Sequence, residues 1–285
     1  MKIKILAVFL AIISGGVFAK PVAYDKIFAD FDACFLLYSV NKNKIVTQYN
    51  PKNRCAKQIA PNSTFKIPLS LMAFDQKIIT ESTVFIWDGK DTGMAAWKHN
   101  QNQTPQTWIQ NSVLWVSQQI TPKLGVTKIK DYLKKFNYGN QDFSGDVGKN
   151  NGLTNAWLSS SLKISALEQL KFLQRMDKGE LPVSSDAVYH TELNMSQDRD
   201  KKLFDMWNTD GKTGSGERIV KVKNVEGKIR HGWFVGYLKH SGTTYIFVTN
   251  ITDKVPVKLS DTKYGGPIAK AATIEIINQY FGSKS

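Results

Sequence analysis

Gly232-Trp-Phe-Val-Gly-Tyr-Leu238 runs through His240-Ser-Gly242 into Thr243-Thr-Tyr-Ile-Phe-Val-Thr249, two apolar runs about a polar turn. Length, β-branched and aromatic content, and the Ser-Gly turn predict a strand pair rather than a helix. Upstream, Ile219-Val-Lys-Val222 alternates, and Leu203 to Trp207 is a further short strand-like run. A last helix is expected from about Pro267 to Phe281. Near the other end, Cys34-Phe-Leu-Leu-Tyr-Ser-Val40 and Ile45-Val-Thr-Gln-Tyr49 flank a polar turn at Asn41 to Lys44, a second expected hairpin. Strands at both ends with helices between them predict an α+β fold. Its sheet is mainly antiparallel and built from both chain ends, with flanking helices and a helical insertion at about residues 76–195. A cleft between those layers is the natural place for a site.

The helical middle carries its own punctuation. Thr104-Pro105 supplies an N-cap and a first-turn proline, followed by Trp108, Ile109, Val113 and Val116 on apolar spacing, which places Ser112 on that helix. Another helix is expected from about Thr127 to Phe136. Ser165-Ala-Leu-Glu168 is a capping box with Leu167, Leu170, Phe172 and Leu173 behind it and Gly179 past the end. A further helix is expected around Ser185 to Asn194. No internal repeat or long linker interrupts the chain.

Lys2 and Lys4, an apolar run from Ile5 to Ile13 and Val17-Phe18-Ala19 read as a secretory signal over residues 1–19, the alternative being an uncleaved amphipathic anchor. Cleavage near Ala19 would leave residues 20–285 as one domain, periplasmic or secreted. Lys20 rather than a cysteine follows the cut, so no lipid anchor or other stable membrane anchor is expected. The 285 residues carry 38 Lys and Arg against 24 Asp and Glu, a net +14. The lysines are scattered (Lys123, Lys128, Lys130, Lys134, Lys135, Lys212, Lys221, Lys223, Lys228), which reads as a solvated surface and not as a nucleic-acid site. Cys34 and Cys55 lie in the exported part, and the hairpin brings the chain back toward Cys34. A disulfide is expected over two buried free thiols. With two cysteines and no close His/Cys cluster, a metal site lacks ligands. No feature specifies an oligomer.

Ser63-Thr-Phe-Lys66 places a hydroxyl and an amine one helical turn apart on one face. Pro61-Asn62 signals a helix start, so the Ser63 amide would lie at the positive end of the helix dipole, where an oxyanion needs a donor. Pro68 removes the backbone bond to Thr64 and should tighten or bend this turn. The spacing alone is weak, because Ser39/Lys42, Ser160/Lys163 and Ser260/Lys263 share it. None of those has a helix start.

The ordered set is more specific. Ser63-Thr-Phe-Lys66 is followed by Ser112, by Lys212-Thr213-Gly214 after a strand, and by Gly232-Trp-Phe-Val-Gly236 opening the neighbouring strand. In this order the chain resembles the penicillin-recognising serine enzymes. With Tyr138-Gly-Asn140, and Trp157 ahead of Ser161-Leu-Lys-Ile-Ser165, it most resembles the class D β-lactamases, the oxacillinases. The resemblance implies that Ser63 attacks the lactam carbonyl, with the amides of Ser63 and Ser215 as oxyanion hole. It implies Lys66 as general base, N-carboxylated by carbon dioxide with no other cofactor, and Trp157 as donor to the carbamate. A lysine beside Phe65, Ile67 and Trp157 is desolvated, and a neutral amine can take up carbon dioxide. Ser112 would relay a proton to the lactam nitrogen, Lys212 and Thr213 would hold the substrate carboxylate, and Gly214 would let the strand approach the ligand. Taken singly, Ser112 reads as a solvent-facing helix serine, Lys212 as a surface cation and Trp157 as core.

Two departures stand out. Leu114 replaces the family's usual valine two residues after the second serine and should crowd the carbamate or its water. Lys263-Tyr-Gly-Gly266 stands where the family usually carries a carboxylate-binding arginine, leaving Lys263 or Lys212 as substitutes without bidentate geometry. The four histidines (His99, His190, His231, His240) sit in no nucleophile motif, which argues against a Ser-His-Asp triad. The rival readings are a penicillin-binding sensor or peptidase that keeps its acyl group, and a basic, non-catalytic envelope-binding protein.

Overall fold

The β-rich ends meet in one sheet. In the computed structural model, which describes residues 21–93, 95–196, 208–223 and 225–282, β1 (Phe31–Ser39) and β2 (Lys44–Tyr49) form the first hairpin, with Asn43 at φ 48° in its turn. β3 (Asn208–Val222), β4 (Val225–His240), β5 (Thr243–Asp253) and the short β6 (Val257–Lys258) come from the other end. The sheet order is β2-β1-β5-β4-β3 with β6 beside β4, and every pairing is antiparallel. The two ends join where β1 pairs β5, from Phe31 opposite Asp253 to Ser39 opposite Tyr245. The expected leader and the expected run Leu203 to Trp207 lie outside the described residues. Among the described residues no helix is long and apolar enough to cross a membrane.

Two strand expectations need correction. Lys212-Thr213-Gly214 does not follow a strand but lies inside β3, continuous with Ile219 to Val222. Gly232 to Gly236 does not open its strand, because β4 already begins at Val225. Arg218 to Val222, which contains the expected alternating run, pairs residue for residue with Val225 to Ile229. Ladder hydrogen bonds, not apolar alternation, hold the outer end of this hairpin, where Ile219, Val222 and Val225 are exposed.

Both faces of the sheet are covered, as the apolar content of β1 requires. Ala33, Phe35 and Leu37 point to one side, where α1 (Tyr24–Ile27) and the C-terminal helix α10 (Gly265–Gly282) pack through Ala269, Ile276, Ile277 and Phe281. Cys34, Leu36 and Tyr38 point to the other, into a core shared with the helices between β2 and β3. These are α2 (Lys66–Asp75), α3 (Ala96–His99), α4 (Pro105–Gln110), α5 (Leu114–Leu124), α6 (Val126–Phe136), α7 (Gly152–Asn155), α8 (Ala166–Asp177) and α9 (Ser185–Met195). Lys66 to Phe74 are all buried, so α2 runs through the middle of this layer. The expected caps are present: Thr104 accepts from Thr107 N–H, and Ser165 and Glu168 cap each other's amides. α6 turns Ile129, Leu133 and Phe136 inward and Lys128, Lys130, Lys134 and Lys135 to solvent. Lys228 departs from the surface reading, being buried and paired with Glu217 at 3.0 Å.

Cys34 in β1 and Cys55 in the turn after β2 form the expected disulfide, with Cα atoms 5.1 Å apart. The bond closes a loop of 21 residues, worth about 3 kcal/mol in chain entropy. The Cys34→Ala/Cys55→Ala pair should therefore lower the denaturation midpoint by several degrees without changing the fold, as read by thermal unfolding and circular dichroism.

Candidate active site

Pro61 and Asn62 start a 3-10 turn, Asn62–Phe65, that continues into α2. Pro68 cannot offer an N–H to Thr64, and the tightening expected from it is present: Lys66 N–H reaches back to the Ser63 carbonyl. Ser63 is partly exposed at the start of this turn. Lys66 lies one turn on, 1% exposed, and its Nζ has no hydrogen-bond partner among the described residues. Burial disfavours the ammonium and brings its pKa down to about 7. Its chain neighbour Phe65 stacks on the buried Trp157 at 5.3 Å, and Trp157 stacks on Phe143 at 6.0 Å.

Ser112 is not on the Thr104 helix. α4 ends at Gln110, and Ser112 occupies the turn before α5 with φ 61°. Its N–H reaches the Ile109 carbonyl at 3.2 Å, and Val113 N–H the Trp108 carbonyl at 3.0 Å, a left-handed helix end that turns the chain back. The apolar spacing that suggested one helix thus comes from two short helices sharing a core. His99 Nε2 is 2.9 Å from the Asn111 carbonyl, and Trp115 Nε1–H donates to the His99 carbonyl, so the turn is braced from α3.

The opposite wall is β3. Lys212 is fully buried, not a surface cation, and donates to Ser112 Oγ at 2.9 Å and to the Thr213 carbonyl at 3.0 Å. Burial, with Lys66 and Lys270 adding, depresses its ammonium far below the ordinary range. Gly214 lies against the nucleophile turn. A Cβ there would sit 2.7 Å from the Pro61 carbonyl oxygen and 3.2 Å from the Thr64 amide, so glycine lets β3 approach the Ser63 turn itself. Gly214→Ala should destabilise the protein by about 1–3 kcal/mol, measured by denaturant unfolding. Ser215 Oγ accepts from Gly266 N–H at 2.9 Å, tying β3 to the start of α10.

Ser63, Ser112, Leu114, Thr213 and Ser215 line one cleft of about 380 Å³. Sequence reading missed its other walls: Ala95, His99, Asn111, Leu158, Tyr264 and Pro267. Asn111 and Leu158 are chain neighbours of singled-out residues, which is the only signal for them. Lys263 is exposed on the loop before α10, its carbonyl accepting from Arg230, and Tyr264 beside it forms the wall.

A buried neutral amine one turn from a serine allows that serine to be deprotonated without histidine, as acyl transfer by the penicillin-recognising class requires. Residues 33–278 match the family model described as the penicillin binding protein transpeptidase domain. The chain is 46% identical over 256 residues to β-lactamase OXA-1 of Escherichia coli, covering 88% of this chain and 86% of that one. The OXA-427 class D β-lactamase structure covers 89% of this chain and is itself covered completely, with a TM-score of 0.73 and 32% identity. Methicillin resistance mecR1 protein of Staphylococcus aureus is 33% identical over 81% of this chain, which spans only 37% of that protein. The chain belongs to the class D serine β-lactamases, and this membership supports β-lactam hydrolysis through a serine acyl-enzyme.

Proposed function

We propose that residues 20–285 form a single catalytic domain, periplasmic or secreted after cleavage near Ala19, which opens β-lactams by acylating Ser63 and releases the product to water. The observation that carries this reading is the Lys66 amine, buried, without a partner among the described residues and with its pKa brought down to about 7. Ser63 Oγ attacks the lactam carbonyl carbon while its proton passes to the base at Lys66, and the Ser63 and Ser215 amides receive the oxyanion. Ser112, held by Lys212, hands a proton to the lactam nitrogen as the carbon–nitrogen bond breaks. Thr213, with Lys212 behind it, takes the substrate carboxylate from the cleft wall, and Ser215 and Tyr264 complete that wall where the family's arginine is missing.

Lys66 also fits N-carboxylation, because an amine that is neutral near pH 7, dry and without a partner is nucleophilic toward carbon dioxide. Carbon dioxide bound there, steadied by the Trp157 indole N–H, would supply a carboxylate base for acylation and for the deacylating water. The test is intact-mass spectrometry during reaction with benzylpenicillin in bicarbonate buffer. An adduct on Ser63 that forms and then decays is expected. An adduct persisting for hours would support the sensor reading instead, and no adduct would sink both. Leu114→Val should relieve crowding of about 1 kcal/mol and speed decay of the adduct about fivefold.

A further inference from the structure

Next to the nucleophile, a polar cluster whose side chains are not part of the cleft lining joins four separate segments. Asn62, directly before Ser63, holds a left-handed backbone at φ 48°, and its N–H donates to the Trp157 carbonyl at 3.0 Å. Its buried side chain is gripped at both ends. Oδ1 accepts the Ser159 backbone N–H at 3.1 Å, while Nδ2 donates to the Ala60 carbonyl at 3.2 Å. A backbone N–H can only donate and a carbonyl can only accept, so these two bonds set the orientation of the amide. Nδ2 therefore also faces His231 Nε2, 2.8 Å away, as a donor, and Nε2 must be the bare nitrogen. Ser159 Oγ lies 3.3 Å from both Asn62 Oδ1 and His231 Nε2. Room for the cluster comes from Gly216 on β3, where a Cβ would fall 2.4 Å from Nε2, 2.5 Å from Ser159 Oγ and 2.6 Å from Asn62 Nδ2.

We infer that His231, neutral and protonated at Nδ1, is a positioning residue for acylation: as acceptor it holds the Asn62 amide, and through it the strained Ser63 turn and the Trp157–Ser159 segment. The inference rests on the β-lactamase reading for its kinetic part. None of these groups touches the reacting atoms. What they set is the position of Ser63 relative to the walls carrying Trp157 and β3. The imidazole is surrounded by Arg218 and Glu217 from β3, Arg54 from the turn after β2 and Asp253 from β5. Burial is the largest influence, followed by the two arginines, and together they push its pKa down to about 4 against the opposing pull of the two acids. The ring stays neutral across the working range. Because the unfolded chain binds the proton from about 6.5 downward, stability contributed here is lost as pH falls from about 6.5 to about 4.

The full mature enzyme provides the test. Long-range nitrogen–proton NMR of His231 should show Nε2 bare and Nδ1 protonated from pH 8 to pH 5, and a protonated Nε2 at pH 7 would overturn the inference whatever the enzyme hydrolyses. His231→Leu, which removes the acceptor, should slow the acylation rate constant for benzylpenicillin about tenfold at pH 7 with its dissociation constant changed less than about twofold. His231→Gln, whose Oε1 can accept without titrating, should recover most of that loss and drop the extra destabilisation between pH 6.5 and pH 4. Wild-type rates in both variants, or equal losses in both, would overturn it. Failure of the wild type itself to acylate would count against the proposed function, leaving the NMR result to decide the hydrogen-bond assignment.

Discussion

Ser63→Ala should eliminate the penicilloyl adduct and lower kcat/KM for benzylpenicillin by at least about ten-thousandfold, the scale on which loss of a serine nucleophile is felt. Alanine leaves the rest of the site in place. Lys66 stays buried beneath the turn, Lys212 still donates to Ser112, and the Thr213 and Ser215 wall is unchanged. Binding of intact penicillin should therefore survive within a few-fold, so the loss appears in the chemical step and not in the dissociation constant. Stopped-flow hydrolysis, intact-mass labelling and equilibrium binding read the three quantities separately. The other three Ser-x-x-Lys pairs supply internal controls. Ser39 is fully buried at the end of β1, and Ser160 Oγ donates to Asp146 at 2.7 Å. Label found on Ser39, Ser160 or Ser260 would overturn the assignment.

Lys66→Met should move stability and activity in opposite directions. The native site lowers the lysine pKa from 10.5 to about 7 through burial, so at and below neutral pH folding must either discharge the amine or bury it charged, while the unfolded chain keeps it charged in water. Each unit of that shift corresponds to about 1.4 kcal/mol. Methionine fills similar space without the charge, and a gain on the order of 2–4 kcal/mol in unfolding free energy is expected at pH 6.5. The sign fixes the pH dependence. The unfolded wild-type chain binds more protons than the native one between about pH 7 and pH 10.5, so wild-type stability rises across that window and the advantage of methionine shrinks toward its upper end. Denaturant unfolding at pH 6.5 and pH 10 checks both the size and the trend. Turnover should meanwhile collapse, because no base remains beside Ser63. A variant that is less stable than wild type at pH 6.5 would show that the buried amine has a partner which restores its charge.

Much of the site was legible because its parts are local. Ser63 and Lys66 share a turn, Lys212 to Ser215 share a strand, and the capping boxes at Thr104 and Ser165 need only residues three apart. What stayed hidden depends on neighbours distant in the chain. Apolar spacing cannot distinguish one helix from two that share a core, so α4 and α5 read as continuous and Ser112 was placed on a helix instead of in a φ 61° turn. The roles of Gly214 and Gly216 follow from the carbonyl of Pro61 and the side chains of Asn62 and Ser159, far away in sequence, and of His231 across the β3–β4 hairpin.

The amino-acid sequence by itself determined the α+β class, the hairpins at both ends, the helical middle and the ordered serine and lysine motifs. Each of these is written in periodicity, in capping residues or in short spacings, and the physics behind them acts over one turn of helix or a few residues of strand. The tertiary structure decided the protonation of groups whose partners lie far along the chain. Lys66 is expected to be desolvated by its apolar neighbours, whereas Lys212 reads as an ordinary surface lysine and becomes a depressed amine only because side chains packed from distant parts of the chain exclude water from it. His231 is bare at Nε2 because two backbone groups more than sixty residues away orient the amide it faces. Desolvation and amide orientation belong to three-dimensional surroundings, and these turn a serine–lysine spacing found four times in the chain into a single reactive pair.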